Sequence, residues 1–215
     1  MGKRSTKGAA PRGTAPFLRA AAAAATFAAA ACASAQAPDP ERAKRIVGGS
    51  CFLCHGADGE SSSEVFPKLG AQNAEYLAKQ LANFKSGARK STTMSGMVKD
   101  LSDEDFASLG AYFAAKPATT HEVKDWDLAG VGRYVYLQGN RWSGVAACQS
   151  CHGASGHGTA SLPRLAGQNA IYLETQIKQF NTRDRTNDNE VMHAIAAKMS
   201  ELEIKAVSAY LSGQP

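Results

Sequence analysis

Apolar positions recur at helical intervals through most of this chain. Tyr76, Leu77, Leu81 and Phe84 fall on one face of a segment that opens near Asn73. Phe106, Leu109, Tyr112 and Phe113 make a second stripe, and Ile204, Val207, Tyr210 and Leu211 a third. No run alternates convincingly at period two, so the pattern predicts an all-α protein without significant sheet. Start signals agree with the stripes. Ser102-Asp103-Glu104-Asp105 and Ser200-Glu201-Leu202-Glu203 each read as a capping box. Asn73, Asn169 and Asp127 read as N-caps. Further helices are expected roughly over 40–48 and 127–138, and the segments carrying Met94 and Met192 read as irregular polar loops.

The pattern is written twice. CFLCHGADGESSSEVFPKLGAQNAEYLAKQLANF, from Cys51, and CQSCHGASGHGTASLPRLAGQNAIYLETQIKQF, from Cys148, match over their whole length at a period of 96 to 98 residues. That period is too long for a solenoid unit and suits a duplicated small domain. The expected organisation is an N-terminal domain over 38–116, a linker over 117–126 that contains Pro117, and a C-terminal domain over 127–215.

Residues 1–37 stand apart from this pattern. They carry five of the 24 basic residues (Lys3, Arg4, Lys7, Arg12 and Arg19) and none of the 19 acids, so the formal +5 belongs to them and the rest is balanced. The basic excess therefore gives no reason to expect nucleic acid, and no basic patch with interleaved aromatics appears. A charged stretch, an alanine-rich run from Ala20 to Ala31, and Ala35-Gln36-Ala37 read as a secretory signal cleaved near Ala37. The apolar run is shorter than the roughly 20 residues that a membrane span needs. Cys32, the odd one of five cysteines, follows three alanines and lacks the leucine of a lipoprotein site, so loss with the signal is expected rather than lipidation. Export implies a periplasmic protein.

The chemistry lies in Cys51-Phe52-Leu53-Cys54-His55 and Cys148-Gln149-Ser150-Cys151-His152. Each is C-x-x-C-H, the attachment signature of c-type haem. Two sulfurs can bond the two vinyl groups of a haem, and the histidine that follows reaches the iron from one side. A dithiol would not need His after the second Cys in both copies. A four-cysteine zinc site wants its pairs about 15–20 residues apart, and these start 97 apart. The expectation is two covalently bound haem c groups, with thioethers at Cys51, Cys54, Cys148 and Cys151.

The other face of each iron needs a ligand, and its identity sets the potential. The first copy offers Met94 and Met97, the second Met192 and Met199. Aligning Ser102 with Ser200 sets Met94 opposite Met192, Met97 opposite Ile195, and Met199 opposite Leu101. Met94 and Met192 are thus favoured. Met97 is the alternative in the first copy and reads otherwise as core. His193 competes in the second copy, but its counterpart is Ser95. His121 and His157 read as solvated. Behind the histidines, the carbonyls of Pro67 and Pro163 could accept from the imidazoles. Arg89 and Arg185, each five residues after the shared Phe, could pair with a haem propionate or be solvated loop charges.

With these motifs together, the chain resembles the dihaem cytochrome c4 family. The resemblance spans about residues 39–212 and rests on the doubled F/L-P-K/R-L-[AG]-[AG]-Q-N-A-x-Y-L-x-x-Q block with a Met in the loop after it. It implies two class I cytochrome c folds in tandem, with His55 and Met94 on one iron, His152 and Met192 on the other, and Pro67 and Pro163 behind the histidines. It implies an electron carrier, not an enzyme, that takes electrons from a quinol–cytochrome c reductase or dehydrogenase and delivers them toward a terminal oxidase. Membrane-surface association stays open. The competing functions are a dihaem enzyme of peroxidase or thiosulfate-oxidising type, and a haem subunit of a larger dehydrogenase. Two departures from symmetry stand out: Leu69-Gly70-Ala71-Gln72 against Leu165-Ala166-Gly167-Gln168, and an insertion at Arg141-Trp142-Ser143.

Overall fold

Pro40 fixes the first helical φ, and the Asp39 carboxylate accepts from Arg42 N at 3.0 Å, so helix α1 starts where the sequence supplies a cap (Pro40–Ile46). This is a computed structural model that describes residues 37–215, so the signal segment and Cys32 lie outside the described residues. The chain continues through a π-helical turn (Val47–Cys51) straight into the first haem motif, α2 (Phe52–His55). Then follow α3 (Ala74–Ser86), α4 (Thr92–Val98) and α5 (Asp103–Ala114). The second half repeats the order with α6 (Trp126–Gln138), α7 (Gln149–His152), α8 (Ala170–Thr182), α9 (Val191–Ala196) and α10 (Glu201–Ser212).

The described residues hold no strand, only two isolated bridges. In each half the last helix packs on two others: α5 on α1 and α3, α10 on α6 and α8. The stripes read from the sequence form the cores. Leu77, Leu109 and Phe113 pack with Ala43 and Val47; Leu173, Val207, Tyr210 and Leu211 pack with Val135 and Tyr136. Both capping boxes are formed, Ser102 with Asp105 and Ser200 with Glu203. The box acids also reach across to the entry of their half. Asp105 pairs with Arg42 of α1, and Glu203 accepts from Asn140 just past α6.

Four local expectations are corrected. The Met94 and Met192 segments are short helices, α4 and α9, because Ser91 caps the first and a left-handed Glu190 starts the second. The α6 cap is Asp125, two residues before Asp127. Asn73 and Asn169 sit at cap positions but make no side-chain cap bond; each instead donates its Nδ2 to a carbonyl of the opposite half. Met97 is 53% exposed and is no core residue.

The Gly–Ala exchange between the halves has a physical reason. The linker crosses the junction asymmetrically. A Cβ at Gly70 would come within 2.6 Å of Pro117 O, and one at Gly167 within 2.4 Å of Thr119 O. The turn also needs a left-handed residue at its third position, which Gly167 supplies at φ 74° and Ala71 at φ 55°. Residues 37–215 fall in a single compact unit.

Candidate haem and inter-half site

Each C-x-x-C-H motif forms one helical turn ended by a glycine with positive φ, Gly56 at 77° and Gly153 at 79°. The turn puts both cysteines of a pair and the histidine on consecutive corners of the same short element. The cysteines form no disulfide. Burial pushes the Cys51 thiol up, and the Cys148 thiol up to about 11, which is not an environment that activates a thiolate nucleophile. Among the described residues no three His, Cys, Asp or Glu side chains converge as a metal-ion cage, which leaves the zinc reading without donors.

His55 and His152 are each 8% exposed. Burial holds both imidazoles below the ordinary histidine value, and so neutral. His55 Nδ1 donates to Pro67 O at 3.0 Å and His152 Nδ1 to Pro163 O at 3.4 Å. A carbonyl can only accept, so Nδ1 carries the proton and Nε2 keeps the lone pair that an iron needs. The turns are buttressed from behind by tyrosines, Tyr112 on Ala57 O at 3.0 Å and Tyr136 on Gly153 O at 2.6 Å.

Met94 lies half-buried on α4 against the Phe84, Val98 and Phe106 cluster, and Met192 lies half-buried on α9. The residue after each methionine bonds the same carbonyl in both halves. Ser95 Oγ donates to Phe84 O at 2.9 Å, and His193 Nδ1 donates to Phe180 O at 2.9 Å. His193 therefore occupies the structural role of Ser95 and ties the Met-bearing helix to the helix before it. His121 is not solvated: its Nε2 is 2.6 Å from Asn169 Oδ1. His157 is exposed and turns its Nε2 to Pro215 O at 2.9 Å.

The doubled Gln-Asn-Ala-x-Tyr-Leu-x-x-Gln block builds the contact between the halves. Gln72 bridges Arg164 N and O at 2.7 and 2.8 Å, and Gln168 bridges Lys68 N and O at 2.8 and 2.9 Å. Asn73 Nδ2 donates to Leu162 O at 2.8 Å, and Asn169 Nδ2 to Phe66 O at 2.7 Å. Beside these, Arg89 Nη2 donates to the Tyr172 hydroxyl at 2.8 Å, and Arg185 Nη2 to the Tyr76 hydroxyl at 3.1 Å. Each of these bonds has its counterpart under exchange of the halves. Arg89 and Arg185 are 8% and 7% exposed, so the solvated-loop reading is wrong for both: burial against Tyr and Gln of the opposite half removes them from water. The repeat did carry a signal for this surface, namely polar residues recurring identically on one helical face, where a solvent face would have drifted.

The donor set fits haem. Paired thiols precede a buried neutral imidazole in each half, and a thioether lies on the short helix after the shared Phe. Comparison with known proteins agrees. A family model described as cytochrome c matches residues 137–214, and one described as cytochrome c oxidase, cbb3-type, subunit III matches 38–113. Cytochrome c4 of Pseudomonas aeruginosa is 41% identical over 167 residues, covering 76% of this chain and 83% of the relative. The chain belongs to the cytochrome c4 family. The crystal structure of reduced recombinant cytochrome c4 from Pseudomonas stutzeri matches with a TM-score of 0.78 at 36% identity, over 83% of this chain and all of that one. A thiosulfate dehydrogenase electron acceptor of Thiomonas intermedia is 36% identical over 77% of this chain and 79% of its own length. As a member of the cytochrome c4 family, the chain holds two covalently bound haem c groups in two tandem cytochrome c domains and carries electrons.

Proposed function

We propose that the protein is a periplasmic one-electron carrier of a respiratory chain that delivers electrons toward a terminal oxidase. In this reading His55 and Met94 hold one iron and His152 and Met192 the other. Bound haem supplies the reversible one-electron couple. The protein fixes each imidazole through a proline carbonyl, excludes water and leaves no iron face for substrate. The observation that carries the reading is the equivalence of the halves: the same proline bond behind each histidine, and the same tie to the Phe carbonyl beside each methionine. An enzyme would need one iron with an exchangeable face. Among the described residues no helix is long and apolar enough to cross a membrane.

The test is a pair of variants. Met94→Ala and Met192→Ala should each abolish the iron–methionine absorption of one haem and lower the potential of that haem alone. An unchanged spectrum in either variant contradicts the assignment of that ligand.

The donor has a second reading, favoured by the thiosulfate dehydrogenase electron acceptor among the relatives. The protein would then accept electrons from a sulfur-oxidising dehydrogenase. Thiosulfate alone should leave the ferric protein oxidised, whereas thiosulfate with a catalytic amount of such an enzyme should reduce it within the mixing time.

A further inference from the structure

The proline carbonyl behind each haem histidine is aimed by the other half of the molecule. Pro67 O, which accepts from His55 Nδ1, belongs to the same rigid peptide as the Lys68 N–H, and that N–H donates to Gln168 Oε1 at 2.8 Å. The Lys68 carbonyl accepts in return from Gln168 Nε2 at 2.9 Å. The peptide on the other side of Pro67 is held as well, because its oxygen, Phe66 O, accepts from Asn169 Nδ2 at 2.7 Å. The second half repeats the arrangement. Pro163 O accepts from His152 Nδ1, and the Arg164 N–H of the same peptide donates to Gln72 Oε1 at 2.7 Å. Arg164 O accepts from Gln72 Nε2 at 2.8 Å, and Leu162 O, before Pro163, accepts from Asn73 Nδ2 at 2.8 Å.

A carbonyl takes its direction from the torsions of its own residue. The proline ring fixes φ at about −65°, so ψ alone turns Pro67 O or Pro163 O toward the imidazole or away from it. Asparagine anchors the peptide before each proline and glutamine the peptide after it, so ψ is set by bonds to the opposite half. Neither anchor comes from the half that holds the histidine. In a trans peptide the N–H and C=O point in opposite directions. The glutamine therefore lies on the far side of the peptide from the imidazole it serves. Donation from the N–H also polarises the peptide and makes its carbonyl the stronger acceptor. Gln72 and Gln168 are each 6% exposed and Asn169 is 2% exposed, so water does not compete for these bonds. Each glutamine oxygen is fixed in turn by the backbone N–H of the asparagine beside it, Asn73 at 3.0 Å and Asn169 at 2.9 Å.

We propose that Gln168 and Asn169 of the second half position His55, and Gln72 and Asn73 of the first half position His152, so that the basicity of each haem ligand is set across the junction. These four are positioning residues that act through the proline carbonyls. A firm bond from Nδ1 to a carbonyl makes the imidazole more electron-rich, which favours ferric iron. Loosening that bond raises the potential of the haem concerned. The inference rests on His55 and His152 as the iron ligands and not on which sulfurs lie opposite them.

The experiment uses the purified, isotopically labelled dihaem protein. In the reduced state the ring Nδ1–H of each histidine is assigned by NMR through its own backbone, and its exchange with deuterium is timed. A redox titration is then followed at each ring. Gln168→Met keeps the length of the side chain and removes the amide. It should speed exchange at His55 roughly tenfold, the scale of one lost hydrogen bond, and raise the potential of the first haem. His152 and the second haem should stay at wild-type values. Gln72→Met should do the reverse. An effect confined to the haem of the mutated half, or equal at both haems, overturns the proposal. So does lowered melting with both rings and both potentials unchanged. Should the methionine variants fail to fold, Asn73→Ser and Asn169→Ser decide. The hydroxyl stays in the pocket but stops short of the carbonyl, so the same crossed pattern should appear at smaller size, and its absence counts against the proposal. A ring that titrates between about pH 5 and 8 is free of iron. That result overturns the ligand assignment, and the proposal falls with it.

Discussion

Asp105 shows how one side chain serves two structures. Its carboxylate closes the α5 capping box on Ser102 and also holds Arg42 of α1, while its own side chain is 1% exposed. The Arg42 guanidinium and the Ser102 donors hold it down to about 2. A carboxyl whose folded value lies below its unfolded value stabilises the fold above the unfolded value of about 4, and that contribution is lost as pH falls through about 2. Asp105→Asn should therefore cost on the order of 2 kcal/mol at neutral pH, the range for hydrogen bonds to a buried charge. It should also flatten the acid limb of the stability profile between about pH 4 and 2. Thermal melting across pH measures both effects, and an unchanged acid limb would show that another carboxylate sets it. At this scale much was legible: the motifs, the boxes and the shared methionine position are local patterns. The second partner of each box acid was not, because Arg42 and Asn140 lie 63 residues away in sequence from Asp105 and Glu203.

Among elements, the crossing of α6 over α10 depends on one missing side chain. A Cβ at Gly132 would lie 1.9 Å from Ala206 O, which is backbone and cannot turn aside. Gly130, one helical half-turn away, faces open space. Gly132→Ala should destabilise the second half by about 2 kcal/mol or more, at the upper part of the usual overpacking range. Gly130→Ala should stabilise by about 0.5–1 kcal/mol, since alanine is the better helix former. Chemical unfolding of the two variants side by side checks this, and equal effects would contradict the packing described. Helix faces were readable because burial follows the 3.6 period. The short helices α4 and α9 were not, since one or two turns give no period to read. Asn73 and Asn169 misled for a related reason. They carry the local chemistry of a cap, but partners more than 80 residues distant win their amides.

Across the whole molecule, duplication does two things. It repeats a haem motif that neither half could cover with a large core of its own, and it makes one surface complementary to itself. Gln72 and Gln168 each bridge the backbone N–H and C=O of one residue of the other half, so the repeat pairs about an approximate twofold relation that the linker crosses asymmetrically. The Gly70 and Gly167 positions record that asymmetry in the sequence. The block shared by the copies was visible from the start, but its purpose was not. A repeat shows that residues are kept alike, whereas only the fold shows that they meet. On the function proposed above, Met94 and Met192 fill the second face of each iron, so that electrons pass and ligands do not bind. Exposing the fully reduced protein to carbon monoxide tests that most directly. The ferrous spectrum should remain unchanged at saturating gas, and a carbon monoxide band at either haem would contradict the account.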